Sequence, residues 1–143
     1  MSEQWWALVG VVVGGILGGG AQIVAGTIQE GRRHEQWLRE QRTDVYRQFL
    51  TEWHRRQSSL LDYVYDEGQH GEPNEDYLVP LFDRVDEVEV FGSPEAIAAA
   101  AVAAQKLMAF WTSDKATRDV KLEKANASLN TYREVIRHDL GVT

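Results

Sequence analysis

The chain contains no cysteine, which removes a disulfide framework, a thiolate nucleophile and any cysteine-based zinc site. No Lys or Arg precedes Arg32, and no charged side chain of either sign falls between Glu3 and Glu30. His34, His54, His70 and His138 form no i,i+4 pair and no H-E-x-x-H, so a metal site would have to be assembled across helices. Asp62, Asp66, Glu67, Glu72, Glu75 and Asp76 lack the ordered oxygen spacing and the glycine of an EF-hand loop. The glycine-rich residues 14–20 carry no G-K-[ST] and follow no strand, which excludes a phosphate loop. No catalytic residue, metal ligand or cofactor is expected, and the chain reads as a non-enzyme.

What is present begins with Trp5–Ile28, WWALVGVVVGGILGGGAQIVAGTI. At roughly 1.5 Å per residue a helix of this length crosses the ~30 Å hydrocarbon core of a bilayer with some length left for tilt. A cleaved signal peptide needs a positive n-region, and Met1, Ser2, Glu3 and Gln4 supply none. The expectation is a short tail over 1–4, a transmembrane helix over 5–28 and a cytoplasmic helical domain over 29–143. Orientation follows from Arg32, Arg33, Arg39 and Arg42, which place the C-terminal part inside. Trp5 and Trp6 then sit at the outer membrane interface, and Arg32 and Arg33 at the inner one, within reach of anionic lipid head groups.

Within the span, Gly10, Gly14 and Gly18 repeat every four residues, and Gly15 with Gly19 repeats the spacing on the adjacent row. One helix face is left almost without side chains, so a second backbone can approach it closely. The predicted partners are therefore the lipid bilayer and, through this face, further copies of the chain.

The net charge of -7 is unevenly distributed. Residues 61–95 hold eleven acidic side chains against the single Arg84, while the stretches on either side are slightly basic. A nucleic-acid partner calls for the opposite, a basic face or stripe, and is excluded as an expectation. About 115 residues follow the span, enough for one small domain.

Four helices are predicted there, over about 29–66, 80–91, 94–112 and 114–140. In the first, Leu38, Val45, Phe49, Trp53, Leu60 and Val64 recur at steps of four and seven, with Arg42 and Arg56 filling the gaps; Trp37, Tyr46, Tyr63 and Tyr65 widen the stripe. This helix is roughly 57 Å long. Gly31 marks a hinge candidate between span and rod. The Gly, Pro and Asn cluster over 67–75 reverses the chain. In the second helix Leu81, Val85 and Val88 face inward, while Asp83, Asp86, Glu87 and Glu89 line the exposed side as a docking face for a cytoplasmic protein.

Gly92-Ser93-Pro94-Glu95 reads as a helix end followed at once by a new start: Gly at C′, Ser as N-cap, Pro and Glu in the first turn. The third helix is predicted to present Ile97, Ala101, Ala104, Met108 and Trp111 on one face. Ser113 or Asp114 is expected to cap a fourth, with the stripe Leu122, Ala125, Leu129, Tyr132 and Ile136 and a stop at Gly141. The fold class is thus all-α: an N-terminal transmembrane helix continuing into a long helix that packs in a cytoplasmic antiparallel three- to four-helix bundle.

The span, the arginine-rich helix with Trp37, Tyr46-Arg47-Gln48-Phe49-Leu50, the Val90-Phe91-Gly92-Ser93-Pro94-Glu95 junction and the end from Tyr132 through Arg137-His138-Asp139-Leu140-Gly141 resemble small single-pass membrane-anchored proteins of actinobacteria and their phages. The resemblance implies a single-pass anchor with a helical cytoplasmic domain and transfers no catalytic residue; a phage or prophage origin implies roles such as superinfection exclusion. The leading expectation is a membrane-tethered, non-enzymatic interaction or scaffold protein. The alternative is a holin-like or toxin-like protein that assembles into a leak through its glycines.

Overall fold

A computed structural model describes residues 27–66 and 73–142. It contains four helices among these residues: α1 Thr27–Tyr65, α2 Val79–Phe91, α3 Pro94–Trp111 and α4 Arg118–Asp139. The chain divides into two units, Met1–Gln36 and Trp37–Thr143. Of the first unit, the described part is the beginning of α1, where Glu30–Gln36 are exposed on every side of the helix. Gly31 lies within that helix, and nothing stands within 4 Å of where its Cβ would be. No helix among the described residues is long and apolar enough to cross a membrane. The predicted span lies outside them apart from Thr27 and Ile28.

The second unit is held by cross-helix polar contacts whose numbering gives the directions. Along α1 and α4 the paired positions run oppositely, from Arg39 with Leu140 through Gln57 with Asn126 to Tyr65 with Asp119. Along α1 and α2 they do so again, from Arg42 with Phe91 to Gln48 with Arg84. Helix α3 lies parallel to α1, with Ser93 at Tyr46 and Ala103 at Trp53. It packs along both α2 and α4. The predicted all-helical bundle therefore holds among the described residues, with α2 and α4 running opposite to α1.

The core is built from Val45, Tyr46, Phe49, Trp53 and Leu60 of α1, Leu81 and Val88 of α2, and Ala125, Leu129, Tyr132 and Ile136 of α4. Most of these are the residues whose spacing marked them, because apolar side chains repeating at three and four positions lie on one helical face. Helix α3 departs from expectation. Its buried residues are Ala96, Ala100, Ala103, Ala104, Leu107 and Phe110, whereas Met108 is 40% exposed and Ile97, Ala101 and Trp111 lie at the margin. The face is rotated by about one residue. Alanine on nearly every side gives the helix little contrast, and Phe110 with Leu107 decides which side is buried.

The punctuation is local. Ser93 Oγ accepts from the Ala96 amide at 3.2 Å, Pro94 opens α3 and Glu95 sits in its first turn. Gly92 does not take the left-handed conformation of a C′ glycine; its backbone is extended, at φ −78° and ψ 166°. Space is the reason for glycine here, since an added Cβ would stand 2.6 Å from the Val88 carbonyl oxygen and 3.2 Å from the Tyr46 ring. Gly141 does take positive φ, 67°. The amides of Gly141 and Val142 return to the carbonyls of His138 and Arg137, a Schellman ending. Asp114 accepts from the amide and hydroxyl of Thr117, capping a turn over 115–117, so α4 begins later than predicted.

Candidate functional site

Helix α2 carries the predicted docking residues. Asp83, Asp86 and Glu89 are exposed, and among the described residues none is in an ion pair. Glu87 departs from the prediction: it is half-buried and accepts from the Arg84 guanidinium at 2.8 Å. Arg84 also donates to Gln48 Oε1 at 2.7 Å, which draws it and Glu87 toward α1. Partial burial, then the charges of Glu89 and Asp83, hold the Asp86 carboxyl above the usual carboxylate range. Like charges close together disfavour ionisation, and the charge of Arg84 offsets part of this repulsion at Asp83.

A polar seam joins α1 to the turn before α2 and the end of α3. Glu52, only 6% exposed, accepts from Arg56 Nε at 2.7 Å. The Arg56 guanidinium carbon lies 4.7 Å from the centre of the Tyr77 ring, a cation–π contact. Tyr77 in turn meets Trp111 edge-on.

A second polar cluster joins the ends of three helices. Tyr46 donates to Asp139 Oδ2 at 2.5 Å and accepts from the Ser93 amide at 3.0 Å. Arg42 Nε donates to the Phe91 carbonyl at 2.7 Å while its guanidinium stands 3.9 Å from Asp139. Arg39 donates to the Leu140 carbonyl at 2.7 Å. Both arginines thereby satisfy carbonyls at helix C-termini, where the backbone carries partial negative charge. Burial, with the Asp139 bond next in importance, raises the Tyr46 hydroxyl above the ordinary tyrosine range, and burial raises that of Tyr132 as well. Both phenols stay neutral near pH 7, so they serve as donors and supply no base or nucleophile.

Several further titratable groups sit on the surface. His54 is exposed, and its Nε2 lies 2.7 Å from the Arg133 guanidinium. Arginine can only donate, so this nitrogen accepts and the ring is neutral. Desolvation, then the charge of Arg133, lowers the His54 pKa. Among the described residues no group of three or more His, Cys, Asp or Glu is placed to hold a metal ion.

Arg32 and Arg33 are exposed on α1. Trp5, Trp6, Gly10, Gly14, Gly15, Gly18 and Gly19 lie outside the described residues. Sequence reasoning missed the Tyr46, Asp139 and Ser93 cluster and the buried Glu52. The available signals were a tyrosine hydroxyl beside an otherwise apolar stripe, and a Glu four residues before an Arg on one helix face. No protein-family model, curated protein or solved structure matches the chain.

Proposed function

We propose that the chain is a membrane-tethered, non-enzymatic helical interaction module, anchored through Trp5–Ile28 with its helical domain on the cytoplasmic side. One observation carries the non-enzymatic part. Tyr46, Tyr132, Trp53, Glu52 and Ser128 place their polar atoms on neighbouring backbone or side chains within the bundle. Polar groups arranged to bind and transform a substrate converge on a concave site instead. The exposed acidic face of α2 is the surface left for a partner. Superinfection exclusion is the setting that a phage or prophage origin would imply.

The test is expression of the full chain with a C-terminal tag in bacterial cells. Membrane retention through an alkaline carbonate wash, with the tag protected from protease in intact spheroplasts, is the expected result. Release by carbonate refutes the anchor, and digestion of the tag refutes the orientation. The doubled four-residue glycine spacing favours a second reading, a membrane-active assembly. Dye entry and loss of membrane potential that vanish in a Gly14→Leu/Gly18→Leu variant at matched expression would establish it, whereas an intact barrier in both refutes it.

A further inference from the structure

We draw no further inference here: the strongest candidate, the outward face of α3, where Ala98, Val102 and Gln105 lie exposed and Glu95 and Lys106 are the helix's only charges, carries nothing because nothing in the structure shows what covers it.

Discussion

Three glycines offer a test in which one chemical change, the addition of a methyl group, has three outcomes. At Gly92 the backbone is extended and negative in φ, a conformation alanine adopts freely, and reduced freedom of the unfolded chain alone would favour alanine by about 0.4–1 kcal/mol. Packing opposes this. The new Cβ would lie 2.6 Å from the Val88 carbonyl oxygen, 2.9 Å from Val88 Cγ1 and 3.2 Å from Tyr46 Cε1. The nearest of these is backbone, already bonded to the Gly92 amide at 2.6 Å, and cannot rotate aside. Overpacking of this kind costs about 1–3 kcal/mol, so Gly92→Ala should lose about 2 kcal/mol and roughly 8 °C of midpoint. At Gly31 nothing opposes a Cβ, and the helical gain of about 1 kcal/mol over glycine should appear to the extent that this end of α1 is folded. At Gly141 space is free but φ is 67°, so Gly141→Ala should lose about 1 kcal/mol through the backbone alone. Thermal unfolding of the full-length chain in mild detergent, followed by far-UV circular dichroism, gives the order. A Gly92→Ala variant as stable as the parent would refute the steric account. So would strict additivity with Tyr46→Phe, because the displaced ring should already have weakened the bonds that the second change removes.

Tyr46→Phe removes the donor to Asp139 and the acceptor for the Ser93 amide, and should cost about 2–3 kcal/mol in denaturant unfolding, whereas Tyr132→Phe gives up one 3.3 Å bond and should cost under about 1 kcal/mol. Arg56→Ala leaves Glu52, whose side chain is 7% exposed, without its closest cation; it should be destabilising by about 2 kcal/mol or more, while Arg47→Ala breaks an exposed pair with Asp44 and should change stability by less than about 1 kcal/mol. His54 has a lowered folded pKa, so its contribution is complete above the unfolded value of about 6.5 and declines as pH falls through the lower folded value. Stability measured across that acidic window should fall less steeply in His54→Gln than in the parent.

Features written in neighbouring residues were legible. Ser93-Pro94-Glu95 is a local start signal, because a hydroxyl, a fixed φ and a carboxylate each suit the unpaired amides of a first turn. The stripe from Ala125 to Ile136 and the stop at Gly141 follow from period and from positive φ in the same way. The face of α3 was not legible, since a run of alanines presents the same side chain in every direction. Gly92 was read correctly as a helix end, but its backbone is extended rather than that of a left-handed C′ glycine. What demands glycine there is the close Val88 carbonyl oxygen, with the Tyr46 ring, 46 positions earlier in the sequence, adding a second close contact.

Distance along the chain also hid the junction. Tyr46 and Asp139 are 93 positions apart, and Arg39 and Leu140 101; no local rule links them. Asp139 even breaks one, because a carboxylate in the last turn of α4 faces the negative end of the helix dipole. The structure resolves that conflict by bringing a neutral phenol and an arginine to it. These bonds also answer a difficulty set by composition. Four of the six buried side chains of α3 are alanines, and small, uniform side chains allow a helix to slide along its neighbours with little change in packing. Trp53 donating to the Ala103 carbonyl at 3.1 Å, Tyr132 donating to the Tyr46 carbonyl and the Tyr46 hydroxyl held between Asp139 and the Ser93 amide are contacts that a shift of one turn would break. The apolar face supplies the drive to assemble, and the buried polar groups choose one register among several that the alanines would allow.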